Sequence, residues 1–432
     1  MKQIFGLLFV LICLSACSGD KDFTGEIPVI DVVNSIGNYQ KVYCSDLFSS
    51  MELIPLETRE DCLIGMYGTI KYHDGLFFVR NPAGGGIVSG VLGGGISNLM
   101  VFDRSGKFLN SIGRKGQGPE EYIAIGDPFF NPDQSTLFVD DIRKVIEYDY
   151  EGNFIRSFGK LRVDSFPLQD YECVKNGVFI ASTYYNGQNA FKYCLLDSNG
   201  IIIKTFPNYF FYNKENDYRS AMKHALAPIH VDNHLFLKDF INDTIYSISN
   251  LDFKPAFVFG FGQYTYPKDH TFNYSNPTLP GNAFFFTQRF GDLVGAPNYF
   301  FYRIRIPNNF SGPKSKPVYN SILGADAADD GSVHGVYDIA QHINILLDTE
   351  PFHFQKGFIN DLNGGLSFIP KYYAGNGVVL DIWNVADMKE MLTEEYFASL
   401  KIKDPQAHQQ LKELLKTLRD DDNPVVVVAK LK

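Results

Sequence analysis

Val101-Phe102-Asp103-Arg104-Ser105-Gly106-Lys107-Phe108-Leu109, running on to Ser111-Ile112-Gly113, is the stretch that decides the fold. The same layout returns twice. Glu147-Tyr148-Asp149-Tyr150-Glu151-Gly152-Asn153-Phe154-Ile155 runs on to Ser157-Phe158-Gly159. Leu195-Leu196-Asp197-Ser198-Asn199-Gly200-Ile201-Ile202-Ile203 runs on to Thr205-Phe206. Each copy reads as strand, tight turn, strand. The aspartate can accept hydrogen bonds from the turn backbone, and the glycine supplies the positive φ that a tight hairpin needs. The turn glycines Gly106, Gly152 and Gly200 stand 46 and 48 residues apart.

A second short strand recurs along the chain. It reads Leu76-Phe77-Phe78-Val79, Leu137-Phe138-Val139, Val178-Phe179-Ile180, Leu235-Phe236-Leu237, Tyr299-Phe300-Phe301 and Val378-Val379-Leu380. A period in the forties with several short strands per period predicts a β-propeller, and six copies predict six blades. A blade buries its faces only against its neighbours, so the array must close. The expected clasp pairs the two chain ends. Val425-Val426-Val427-Val428 is an apolar run read as a buried strand, with Met51–Leu56 beside it as the outermost strand, where Pro55 is tolerated at an edge. The predicted class is therefore all-β, a six-bladed β-propeller with a small helical insertion near the C-terminus.

Two inserts break the period, and a glycine-rich stretch marks a hairpin tip. Residues 307–332 read as a polar loop in blade five. Residues 386–420 read as two helices separated by Pro405, covering one face of blade six. Gly84-Gly85-Gly86 and Gly93-Gly94-Gly95 read as a loose hairpin tip in blade one.

The N-terminus is a targeting segment. Lys2 precedes an apolar run from Ile4 to Leu14, shorter than the roughly 20 residues of a spanning helix. Leu14-Ser15-Ala16-Cys17 then resembles the bacterial lipobox, which implies cleavage after residue 16 and acylation of Cys17. The expected organisation is a signal peptide over 1–16, a tether over 17–26 and the propeller over 27–432. No aspartate directly follows Cys17, which by analogy implies outer-membrane sorting.

The formal charge is −10. Phosphate binding needs clustered Lys and Arg, so nucleic acid is excluded as the expected partner, and the lipid rather than the surface must hold the membrane. Once Cys13 is cleaved off and Cys17 is acylated, Cys44, Cys62, Cys173 and Cys194 remain. Their spacing fits no metal motif, and buried free thiols are expected rather than a disulfide framework.

Ile112-Gly113-Arg114-Lys115-Gly116-Gln117-Gly118-Pro119-Glu120-Glu121-Tyr122 resembles the glycine-rich connector of NHL-repeat propellers. Phe138-Val139-Asp140-Asp141-Ile142-Arg143-Lys144-Val145 resembles the strand, Asp and Arg portion of the same repeat. With Asn360-Asp361-Leu362-Asn363-Gly364-Gly365 and Asp421-Asp422-Asn423-Pro424, the chain resembles the six-bladed propeller lipoproteins of the Bacteroidetes. That resemblance implies a fold and an envelope location, and a link to nutrient capture, but a fold does not fix an activity.

Candidate channel or ligand residues are Arg114, Lys115, Gln117, Tyr122, Asp140, Arg143, Asn360 and Asp361. Each has a structural alternative: Arg114 pairing a neighbouring carboxylate, Asp140 and Arg143 in an ion pair between blades, Asn360-Asp361 in a turn set by Gly364-Gly365. His224, His230 and His234 lack the partners of a metal motif and read as surface residues. His334, His342 and His353 are scattered. Gly331-Ser332-Val333-His334-Gly335 has its serine in the wrong place for a nucleophile elbow. Phe284-Phe285-Phe286, Tyr264 and Tyr266 read as core or as a sugar platform.

No cofactor and no metal are expected. The reading that follows is a non-catalytic, envelope-anchored binding propeller, with a polar or carbohydrate ligand or an envelope protein as partner, at the outer membrane or exposed on the cell surface. The alternative is a propeller enzyme of lyase or metal-dependent lactonase type that uses the central channel. A purely structural envelope component is a third reading.

Overall fold

The structure is a computed structural model that describes residues 26–65, 68–81, 98–163, 166–183, 189–208, 226–232, 234–239, 242–265, 285–286, 292–306, 332–348 and 357–432. The glycine triplets of blade one, the loop over 307–331, and Cys17 with its flanks lie outside these residues. So do His224, Tyr266, Phe284 and His353.

Six sheets follow one another around a ring. Blades one to three are four-stranded: Thr69–His73, Leu76–Asn81, Asn98–Phe102 and Phe108–Ile112; Phe129–Phe130, Thr136–Asp140, Lys144–Asp149 and Phe154–Gly159; Gln169–Lys175, Val178–Ser182, Phe191–Leu196 and Ile202–Pro207. Blade four spans Leu226–Val231 to Asp252–Gly260, and blade five Leu293–Ala296 to Ile343–Leu347. Blade six joins Tyr372–Gly375, Val378–Trp383 and Val425–Leu431 to the N-terminal strand Phe48–Pro55. The six recurring apolar triplets are the second strands of the six blades.

The clasp forms as read. Val425 pairs with Pro55 and Val427 with Leu53, antiparallel, with the N-terminal strand outermost. The sequence before it does more than expected. Val29–Asp31 adds a parallel strand to the outer edge of blade four, and Tyr39–Gln40 does the same on blade five. The N-terminal segment thus runs along three consecutive blades.

The second strands of a propeller are covered on both faces, so they read as unbroken apolar runs. Phe77, Phe78 and Val79 are all buried, whereas the outer strand Phe154–Gly159 alternates half-buried and exposed. Buried apolar residues fall into six clusters, one per blade interface. Between blades two and three, for example, Phe138 meets Phe179 edge-on at 4.9 Å.

The three aspartate–glycine turns join third to outer strands. Gly106, Gly152 and Gly200 have φ of 86°, 89° and 79°. Asp103, Asp149 and Asp197 each accept two or more bonds from the turn. The turns also stitch the ring. Asn110, Arg156 and Lys204, each third in its outer strand, donate to the carbonyls of Tyr150, Ser198 and Leu251 in the next blade's turn.

The helical insertion has three helices rather than two: Val385–Met391, Glu394–Ser399 and Pro405–Thr417. Pro405 does not merely divide it. It occupies the first turn of the last helix, where its missing N–H costs nothing, and Asp404 caps that helix by accepting from Ala407 N at 2.9 Å. Met388, Met391, Tyr396, Phe397 and Leu411 bury against blade six. Cys44, Cys62, Cys173 and Cys194 are buried free thiols. Among the described residues no helix is long and apolar enough to cross a membrane.

Candidate functional site

The six inner strands enclose a central channel of about 1350 Å³. Every blade contributes to its wall, because the first strand of each blade stands nearest the ring axis. Ligand cavities usually occupy about 300–1000 Å³, so the channel has room for a ligand with its water.

One end is a charged rim. Each second strand leaves the ring beside the start of its inner strand, and a polar group sits at that level: Arg80, Asp140, Ser182, Lys238 with Asp239, Arg303 and Asp381. Arg80 donates from Nε to Asp127, which also accepts from Thr69 Oγ1 at 2.8 Å. Lys160 pairs with Asp140, Lys192 with Asp239, and Lys371 with Asp381 at 3.0 Å. Asp170 accepts from Ser182 Oγ at 2.7 Å. Burial pushes the Asp140 carboxyl up to about 6, against the pull of Lys160. Burial likewise brings the Lys238 ammonium down to about 8, against Asp243 and Asp239.

Deeper in the channel, titratable side chains from four blades face one another. Lys71 comes from blade one, Asp127 from the entry to blade two, Glu172 from blade three and His230 from blade four. His230 Nε2 lies 3.4 Å from Glu172 Oε1. Burial raises Glu172, but His230 and Lys71 outweigh it and hold the carboxyl below its ordinary range. Burial also raises Asp127, and Arg80 and Lys71 more than reverse it. Tyr372 of blade six reaches the carbonyl of Tyr72 at 3.4 Å.

The other end is narrowed by Tyr373, whose hydroxyl donates to Asp232 and accepts from Gly377 N at 3.1 Å. His73 stacks on Phe130 with centroids 4.7 Å apart, and its Nδ1 meets Tyr150 Oη at 2.6 Å. Burial is the main cause of its lowered pKa.

Of the residues singled out in the sequence, Asp140 lines the channel, at the rim. The others do not. Arg114 is exposed and pairs with Glu121 at 2.8 Å, and Arg143 points to solvent. Lys115 and Gln117 lie on the connector outside the channel wall, and Tyr122 is buried between blades one and two. The connector leads from the outer strand of blade one to the inner strand of blade two, so its glycines serve the crossing; a Cβ on Gly116 would meet Glu121 at 1.9 Å. Asn360 and Asp361 are buried below the helices. Asn360 caps its own turn through Asn363 N at 3.2 Å, and Asp361 accepts from Ser45 N at 2.9 Å and Ser45 Oγ at 2.6 Å. Asp361 thus fastens the N-terminal segment and Asn360 holds its own turn, and neither lines the channel.

His230 is the reverse case. Read as a surface residue, it stands in the channel because Leu226–Val231 is an inner strand. Tyr264 is core. Lys71, Glu172 and His230 were missed, yet they share a signal: Ile70-Lys71-Tyr72, Tyr171-Glu172-Cys173 and Ile229-His230-Val231 each set one titratable residue between two apolar ones. Among the described residues no three His, Cys, Asp or Glu side chains converge as a metal site.

Fold and cavity together define a six-bladed β-propeller with a polar central channel. The chain belongs to the family described as a domain of unknown function, DUF4934, whose model matches residues 27–430. A crystal structure of a Bacteroides fragilis protein taken to be exported is similar, with a TM-score of 0.63 at 17% identity, covering 94% of this chain and 99% of that one. A duf4221 family member from Bacteroides vulgatus is less alike, with a TM-score of 0.45 at 12% identity, covering 89% and 97%. Identities this low speak to fold alone. No curated protein matches the sequence.

Proposed function

We propose that this protein is an exported lipoprotein of the NHL-like propeller kind, held in the outer membrane by acylated Cys17, with a non-catalytic binding propeller displayed beyond a short tether. Residues 1–16 would be its signal peptide and 17–26 the tether. Its role would be ligand or partner binding linked to nutrient capture. The channel carries this reading: all six blades line it, and its carboxylates are engaged by protein donors instead of being arranged around a nucleophile. The similarity to a Bacteroides protein taken to be exported supports the compartment.

Mass spectrometry of the membrane-extracted protein tests the anchor, and an unmodified Cys17 would overturn it. Protease treatment of intact cells tests display; digestion without lysis supports surface exposure, and full protection places the propeller inside.

The Glu172–His230 pair favours a second reading, a propeller enzyme of lyase or lactonase type, because a carboxylate orienting an imidazole can move protons. Turnover on a substrate panel that disappears in His230→Gln would establish it.

A further inference from the structure

Within that binding reading, the channel also points to a class of ligand. The described carboxylates that line it have protein partners: Asp127 has Arg80 and Thr69, Asp140 has Lys160, Glu172 has His230, and Asp232 has Tyr373. Asp292 has Arg303, Asp170 has Ser182 and Asp74 has Ser135. The cations Arg80, Lys238 and Lys371 are likewise bonded to carboxylates or carbonyls. Lys71 differs. Among the described residues its ammonium makes no ion pair or hydrogen bond, although it sits half-buried in the channel wall. Lys71 is therefore a channel cation that acts on Asp127 and Glu172 only through space, with its own donors left for a ligand.

Around it lie acceptors with capacity to spare. A carboxylate has about four lone-pair sites. Asp127 receives both of its side-chain donors on Oδ1, and Glu172 receives Cys173 N and faces His230 on Oε1. Oδ2 and Oε2 remain to accept from a ligand. Tyr72 and Tyr372 add aromatic wall.

We propose that the channel binds a hydroxylated carboxylic acid of sugar size, a uronic or aldonic acid, with its carboxylate on Lys71 and its hydroxyls donating to Asp127 and Glu172. A zwitterion fits less well, because Arg80 and Lys71 both act on Asp127 and would repel a ligand ammonium there. A neutral sugar would leave Lys71 unanswered, and a charge-assisted bond is about twice as strong as a neutral one.

Calorimetry on the full-length protein in detergent tests this with glucuronate, galacturonate and gluconate against glucose, galactose and glycine. The acids should bind at least about tenfold more tightly than their neutral counterparts. Lys71→Met should lose that preference, and Lys71→Arg should keep most of it. Lys71→Arg keeps the charge that acts on Asp127 and Glu172 and should melt as the parent does, and Lys71→Met, which breaks no hydrogen bond among the described residues, should still fold. Equal affinity for glucose and glucuronate, unchanged affinity in Lys71→Met, preference for glycine, or no binding of any acid would each overturn the ligand class. Those results leave a binding propeller standing; that reading fails separately, if product accumulates in the same samples.

Discussion

The hydroxyl of Tyr373, on the inner strand of blade six, donates to the carboxylate of Asp232, in the first turn of blade four. These blades are not neighbours, so the bond passes over the inner strand of blade five and ties the ring across one end of its channel. Asp232 is held for this at a φ of 49°. Burial first, and Asp232 next, push the Tyr373 phenol up to about 12, so the donor stays protonated at any ordinary pH.

Tyr373→Phe should therefore destabilise the fold by about 1.5–3 kcal/mol, the usual worth of a hydrogen bond to a charged group. Urea unfolding would measure it, and the loss should be the same at pH 6 and pH 9. A change within error would mean that the bond is replaced by water.

The turn glycines differ in what surrounds them. A Cβ on Gly106 would lie 2.2 Å from the Pro55 carbonyl oxygen, in the clasp strand of blade six. Gly75 has a similar φ of 83° but nothing within 4 Å. Gly106→Ala should cost about 2–5 kcal/mol, backbone strain plus overpacking, and Gly75→Ala only about 1–2 kcal/mol. Parallel thermal melts of the two variants would show whether the contact between first and last blades is as tight as this spacing requires.

Two channel groups respond to acid with opposite sign. His73 has a lowered pKa, so the unfolded chain takes its proton first and stability falls as pH drops below 6.5. Asp140 is raised to about 6 from 3.8, so the folded chain takes its proton first and the group favours folding as pH falls from about 6 towards 3.8. At most about 3 kcal/mol is involved for Asp140. His73→Gln should flatten the acid decline of the melting temperature between pH 7 and 5, and Asp140→Asn should steepen it between pH 6 and 4. Identical slopes in all three proteins would contradict both assignments.

Lys192 and Asp239 form an ion pair that is almost wholly buried between blades three and four. Burial lowers the Lys192 pKa, and Asp239 opposes that. Asp239→Asn should cost about 3–5 kcal/mol, because it strands a buried charge. Lys192→Met combined with Asp239→Leu should be far milder, within about 1–2 kcal/mol of the parent. A double-mutant cycle by denaturant unfolding would separate the two.

The architecture was legible because two signals repeat. The aspartate–glycine turns recur every 46 to 48 residues, and their hydrogen bonds are local, so each copy declares itself. The second strands are buried on both faces and keep an apolar triplet whatever else varies. The valine run and Met51–Leu56 marked the clasp because each, alone, would be an unpartnered strand. The channel was not legible in the same way. Inner strands vary in length from Phe129–Phe130 to Gln169–Lys175, so they repeat poorly. Lys71, Glu172 and His230 meet only because the ring brings three blades together. The connector and Asn360-Asp361 drew notice because they are polar and glycine-rich, but those traits serve a crossing and a turn. The extra strands at Val29–Asp31 and Tyr39–Gln40 are too short to signal themselves.

The strand Phe48–Pro55 emerges early in synthesis, and its partner Val425–Leu431 follows only after the other five blades. Until that partner arrives, the toroid has a gap with two exposed flanks, and no partial chain can seal it. Contacts so distant in sequence are formed late and slowly. A chain cut short anywhere before Val425 would stay open, presenting unpaired edges to proteases and chaperones. Ring closure thus waits until every blade has been made, and the protein inspects its own integrity.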